Sequence, residues 1–142
     1  MTNPARVLTF PAATPSAAVA RFGAELEFEV DPDDLARDLA DGARRGYAVV
    51  ETRAPEAFAA AHIPGAINLP YRTLTAESTR DLDPGLVYIC YCESIFCNAA
   101  TKGALALARL GFRVKRLSGG ITAWTAAGYP VEGAGTTVTC AC

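Results

Sequence analysis

The sequence predicts an α/β domain built on a mostly parallel sheet. Apolar segments of strand length alternate with helical segments along the chain, the order that a parallel sheet with helical crossovers requires. Residues 47–52 and 86–91 are largely apolar on both of their alternating faces, so they read as strands covered from two sides. The more apolar of the two, 86–91, belongs at the centre of the sheet. The chain has 142 residues, one domain by length, and should bury roughly 68–70% of its unfolded surface. With 51% hydrophobic and 20% charged residues, its composition is globular and not disordered.

In order along the chain, residues 1–13 are rich in Pro, Ala and Thr and read as a loose arm, and 15–26 as a short helix. Leu26, Phe28 and Val30 alternate with Glu27 and Glu29, a strand signal. Asp31-Pro32-Asp33-Asp34 starts a helix: a capping carboxylate, a proline preset for the first turn, and acids at the positive dipole end. Leu35, Leu39 and Ala43 share one face of it, and Gly46 ends it. The strand at 47–52 follows, then a helix from Pro55 through Ala61, then a short strand at 66–69 between Pro64-Gly65 and Pro70. Residues 71–83 are loop with one helical turn, and Pro84-Gly85 turns into the strand at 86–91. A helix with Asn98 as N-cap runs to Gly111 and buries Ala104, Leu107 and Ala108. Residues 114–117 form a fifth strand. Ser118-Gly119-Gly120 then turns into a last helix with Ile121 and Trp124 on one face, ended by Gly128. The resulting division is an arm and short helix at 1–26, the domain at 27–132, and a mobile tail at 133–142.

Several function classes are excluded. The net charge of −2 argues against nucleic acid, whose binders carry a basic patch; Arg113, Lys115 and Arg116 read as solvated surface. No apolar run approaches a membrane span. Pro4, Pro11 and Pro15 interrupt any signal-peptide core, so the expected location is the cytoplasm. Five cysteines is an odd count, and in a reducing compartment such thiols serve chemistry more often than stapling.

The chemistry points to Cys92. The run Val87-Tyr88-Ile89-Cys90-Tyr91 delivers Cys92 to the end of a strand, and Glu93-Ser94-Ile95-Phe96-Cys97 leads into a helix start at Asn98. That order sets a sulfur against the positive end of a helix and the loop amides of Glu93, Ser94, Ile95, Phe96, Cys97 and Asn98, an environment that favours a thiolate. Strand ends of parallel sheets are also where active sites form. Cys90, on the same face but deeper, reads as a core thiol. Cys97 reads equally as a resolving thiol, a second sulfur carrier or a bystander. Cys140 and Cys142 form Cys-x-Cys in the tail, readable as a relay, half of a soft-metal site, or idle residues; two thiolates do not complete a metal shell, so no metal is assigned. Arg72 is a candidate for the site rim, where it would offset Glu93.

The chain resembles the rhodanese domain, the sulfurtransferase module. The matching pieces are Phe58-Ala59-Ala60-Ala61-His62-Ile63-Pro64-Gly65-Ala66, the strand–cysteine–loop–helix at Cys92, and residues 117–131 with Ser118-Gly119-Gly120, Trp124, Gly128 and Pro130. The resemblance implies a rhodanese-like fold of about five mostly parallel strands with helices on both faces, and a nucleophilic Cys92 that carries a transferable sulfur as a persulfide. It implies a small sulfur donor, an acceptor thiol that includes protein cysteines, and no cofactor. A dianionic donor such as thiosulfate would meet Glu93 unless that side chain points away. Where family members commonly end a strand with Asp-x-Arg, this chain has Glu51-Thr52-Arg53, and Arg53 with Glu56 reads as a surface or turn-bracing pair. His62 lies in a motif resembling a structural turn, so it reads as a hydrogen-bonded turn histidine. The alternative to catalysis is a binding or thiol redox-sensor module using Cys92 and Cys97. An oxyanion hydrolase of the Cys-x5-Arg kind is disfavoured, because Asn98 stands where the arginine would be.

Overall fold

The structure, a computed structural model, describes residues 3, 5–42 and 46–135. It is an α/β fold with a five-stranded, all-parallel sheet. A 3-10 turn at Arg6–Leu8 precedes α1 (Pro15–Phe28), β1 (Glu29–Val30), α2 (Pro32–Ala40), β2 (Tyr47–Glu51), α3 (Pro55–Ala60) and β3 (Ile67–Asn68). A second 3-10 turn at Tyr71–Thr73 leads on to β4 (Val87–Tyr91), α4 (Ala99–Arg109), β5 (Arg113–Leu117) and α5 (Gly120–Ala126). The strand order is β1-β5-β4-β2-β3, so β4 is the central strand, as its apolar sequence requires.

Period-two alternation sorts the strand residues into two cores. Val49, Ile89, Tyr91 and Leu117 face Leu35 of α2 and Ile121 and Trp124 of α5, whereas Val50, Tyr88, Cys90 and Cys92 face Ala99, Ala100 and Leu107 of α4. Helices therefore cover both faces. The start of α2 is capped as its sequence predicts: Asp31 Oδ1 accepts from the Asp33 amide at 2.7 Å.

The N-terminal end of the domain differs from expectation. The alternation at 26–30 yields only two strand residues, because α1 continues through Phe28. α2 closes at Ala40, before Gly42; the predicted face residue Ala43 lies outside the described residues, as do Cys140 and Cys142.

Candidate functional site

Cys92 follows β4 directly. It is 3% exposed and lines a cavity of about 290 Å³ at the C-terminal ends of β4 and β5, together with Ser94, Cys97, Ala100, Arg116 and Gly119. That volume is at the small end for ligand pockets, which run from about 300 to 1,000 Å³. Cys92 is a free thiol, and its Sγ donates to the Cys97 carbonyl at 3.4 Å across the loop.

Two elements shape the loop. The first is the start of α5. The amides of Ile121 and Thr122 donate to the carbonyls of Cys92 (3.0 Å) and Glu93 (2.9 Å). In trans peptide planes this turns the amides of Glu93 and Ser94 away from α5. The approach is so close that only glycine fits at residue 120: its φ is +61°, and a Cβ there would lie 2.5 Å from the Cys92 carbonyl oxygen. The second element is Ser94, whose Oγ and carbonyl accept from the amides of Phe96 and Cys97, each at 3.2 Å. Two of the six expected cradle amides are thus bonded within the loop. Those of Glu93, Ser94, Ile95 and Asn98 have no acceptor among the described residues.

Asn98 occupies the N-cap position of α4 without making a side-chain cap. The Cys97 sulfur takes that role, accepting from the Ala99 amide at 3.5 Å. Cys97 is in a disulfide, but not with Cys92 or Cys90, which are free; the structure therefore holds no Cys92–Cys97 bond.

Glu93 does point away from the cavity. Its carboxylate accepts from Arg53 Nη1 at 2.6 Å. Arg53 is a buried hub and not a surface residue paired with Glu56. Its Nε donates to Glu51 and its Nη2 to the Ala61 carbonyl at 2.7 Å. The Tyr91 hydroxyl donates to Glu51 Oε2 at 2.7 Å and accepts from the Ile63 amide at 3.0 Å. Burial works against the Arg53 charge, but the hydrogen bonds and charges of Glu51 and Glu93 outweigh it and hold its pKa above the ordinary value. Among the cavity-lining residues the charged ones are Glu29 and Arg116, and they are bonded to one another. Arg116 also donates to Thr101 Oγ1 at 2.6 Å. The mouth is therefore close to neutral, and a bound anion would depend on backbone dipoles. Ile95 and Phe96 stand exposed beside it.

A family model described as Rhodanese-like domain matches residues 31–127. The chain belongs to the rhodanese-like domain family. It is 36% identical over 109 residues to the thiosulfate sulfurtransferase GlpE of Pseudomonas putida, covering 75% of this chain and 92% of that protein. It is 40% identical over 87 residues to the HTH-type transcriptional regulator Rv0324 of Mycobacterium tuberculosis, covering 59% of this chain but only 37% of the regulator's length. Among solved structures, the BH2092 protein of Bacillus halodurans superposes with a TM-score of 0.83 at 38% identity, over 89% of this chain and 93% of that one.

The other predicted residues of this rhodanese-like domain fall in different places. Arg72 does not line the Cys92 cavity; it lies against Tyr71, donating to that hydroxyl at 2.8 Å. The cation at the cavity is Arg116, not solvated surface as its sequence context predicts. His62 is a structural residue, stacked on Phe58 and bonded through Nδ1 to the Phe58 carbonyl at 2.8 Å, while its backbone pairs with Glu132. Trp124 is fully buried, its Nε1 donating to the Pro130 carbonyl. Among the described residues no cluster of His, Cys, Asp or Glu could hold a metal ion, and no helix is long and apolar enough to cross a membrane. Arg53 is the residue beside the site most hidden from sequence. Its signal was position: Glu51-Thr52-Arg53 ends β2, which pairs with β4 beside Cys92.

Proposed function

We propose that this rhodanese-like domain is a sulfurtransferase in which Cys92 carries the sulfur. The Cys92 thiolate attacks the outer sulfur of a sulfane donor R–S–S⁻ or thiosulfate. A bond forms between Cys92 Sγ and that sulfur, the donor's S–S bond breaks, and a thiolate or sulfite leaves. An acceptor thiolate then attacks the outer sulfur of the persulfide, taking it away and returning Cys92 as a thiolate. The observation that carries this reading is the free Cys92 thiol lining a small cavity, followed by a loop in which the amides of Glu93, Ser94, Ile95 and Asn98 have no acceptor among the described residues. The likeness to proteins named thiosulfate sulfurtransferase supports it. The withdrawal of Glu93 onto Arg53 removes the side-chain charge that would repel an anionic donor.

The likeness to a transcriptional regulator favours a second reading, a sensing or binding domain whose thiols report on their surroundings. One experiment separates the two. Intact protein is treated with thiosulfate, mercaptopyruvate or glutathione persulfide and then weighed by mass spectrometry. Transfer predicts one added sulfur on the Cys92 peptide, its loss to added thiol, and no loading of Cys92→Ser. A variant that gains the sulfur on the same peptide as readily as the parent refutes Cys92 as carrier. Loading without turnover on any acceptor favours sensing.

A further inference from the structure

One side of the Cys92 cavity is formed by an ion pair on the two strands beyond β4. Glu29 of β1 and Arg116 of β5 are register partners, and both line the cavity. Arg116 holds the Glu29 carboxylate by one edge of its guanidinium: Nη2 donates to Oε1, and Nε donates to Oε2 at 3.4 Å. Each partner is also braced from outside the pair. Arg116 Nη1 donates to Thr101 Oγ1 at 2.6 Å, and Ser118 Oγ donates to Glu29 Oε2 at 3.1 Å. A guanidinium has five N–H donors, and a carboxylate has about four acceptor positions. Among the described residues these bonds use three of each. One N–H on each of Nη1 and Nη2, and one acceptor position on Oε1, therefore remain. The side chains of Arg116 and Glu29 are 45% and 27% exposed, so these positions are open to a molecule entering the cavity.

We propose that this pair selects the small thiol compound that exchanges sulfur with Cys92, and that the compound is an α-amino-acid thiol of about the size of cysteine. The inference rests on the sulfurtransferase reading of the same site. The carboxylate of the compound takes the two remaining N–H groups of Arg116, a bidentate arrangement, and its ammonium takes the remaining acceptor of Glu29. The pair is net neutral, and Glu93 does not alter that balance, being held by Arg53. A lone carboxylate that reaches Arg116 lies beside the like charge of Glu29, and a lone ammonium at Glu29 lies beside Arg116. A zwitterion satisfies both and strands neither. Size and reach agree with this. The cavity of about 290 Å³ is below the usual range for drug-sized ligands. Arg116 pairs across the sheet with Cys90, one strand over and two residues before Cys92, a backbone separation of roughly 8 Å. The carboxylate carbon and the nitrogen of such a thiol lie three bonds from its sulfur, which suits so short a span. As acceptor, its thiolate attacks the outer sulfur of the Cys92 persulfide. The persulfide S–S bond breaks, Cys92 leaves as a thiolate, and the amino acid departs as its own persulfide.

Thiol–disulfide exchange tests the selection without requiring sulfur transfer. The full chain is mixed with cystine, cystamine, dithiodipropionate or hydroxyethyl disulfide, whose end groups are zwitterionic, cationic, anionic and uncharged. The Cys92 thiolate attacks one sulfur, forms a mixed disulfide and expels the other half as a thiolate. Loss of the free Cys92 thiol is followed by fragment mass spectrometry, and each rate is divided by that of the same chain unfolded in urea. On that scale cystine should react at least roughly tenfold faster than the cationic and anionic disulfides. Relative to the uncharged disulfide, Glu29→Gln should slow cystine and speed dithiodipropionate, whereas Arg116→Gln should slow cystine and speed cystamine. The comparison in the parent stands even if a variant fails to fold. Equal corrected rates for the four disulfides overturn the proposal, as do variants that move every charged disulfide alike. If the selection holds while Cys92 gains no sulfur from any sulfane donor, the transferase reading fails and the recognition of an amino-acid thiol stands. If sulfur loads while the four rates are equal, the recognition alone fails. A Cys92 thiol inert to all four disulfides overturns both.

Discussion

Gly120→Ala tests whether α5 sets the position of the loop that follows Cys92. The added Cβ would lie 2.5 Å from the Cys92 carbonyl oxygen and 2.8 Å from the carbonyl carbon and oxygen of Glu93. These are backbone atoms with no side-chain freedom to yield. The substitution also holds a non-glycine residue at φ +61°, which costs about 1–2 kcal/mol. Gly111 isolates that second effect, because it sits at φ +94° with nothing within 4 Å of its would-be Cβ. Gly111→Ala should therefore report the backbone cost alone. Gly120→Ala should add the loss of the Ile121–Cys92 and Thr122–Glu93 hydrogen bonds, at roughly 0.5–1.5 kcal/mol each, or about 1–3 kcal/mol in all. In thermal unfolding that places it roughly 3–10 °C below Gly111→Ala. The displaced loop should load sulfur on Cys92 roughly 10–100-fold more slowly. If the two variants unfold together and Cys92 loads at the parent rate, the contact between α5 and the loop does not position the sulfur.

Two further outcomes follow from the buried groups. Arg53→Met should destabilise the fold by about 3–5 kcal/mol, because it leaves the Glu51 carboxylate buried without its cation. It should also depress loading from dianionic thiosulfate more than from an uncharged donor, since Glu93 is released beside the cavity; equal effects on both donors would refute the role given to Glu93. Burial pushes the Cys90 thiol from 9.0 up to about 12. The folded protein thus keeps a proton that the unfolded chain releases, so this contribution is intact below pH 9.0 and is lost as pH rises toward about 12. Unfolding free energies from urea titrations across that window should fall less steeply for Cys90→Ala than for the parent, by up to about 1.4 kcal/mol per pH unit. Identical slopes would mean that burial does not protect this thiol.

The sheet was legible because its central strands are buried on both faces and its joints carry Pro and Gly, so burial pattern and punctuation agree. The cysteine was legible from its place at a strand end before a helix. Failures came where one local pattern fits two structures. Leu26, Phe28 and Val30 alternate like a strand, yet the first two lie exposed in a helix. Arg53 was misjudged because its ligands lie at Glu51, Ala61 and Glu93; only tertiary folding joins the ends of β2 and β4. Asn98 has the composition of a cap, but the Cys97 sulfur reaches the amide first.

Cys90 lies in β4 and Cys92 just beyond its end, on the same face and two residues on, a rise of about 7 Å. Yet one thiol is sealed in the core and the other opens on the cavity. What divides the sealed sulfur from the one at the cavity is where the strand ends. Pairing that ran a residue or two further along the sheet would close the opening and turn an accessible sulfur into packing. Insertions or deletions between residues 85 and 92 should therefore be far less tolerated than changes of side chain there.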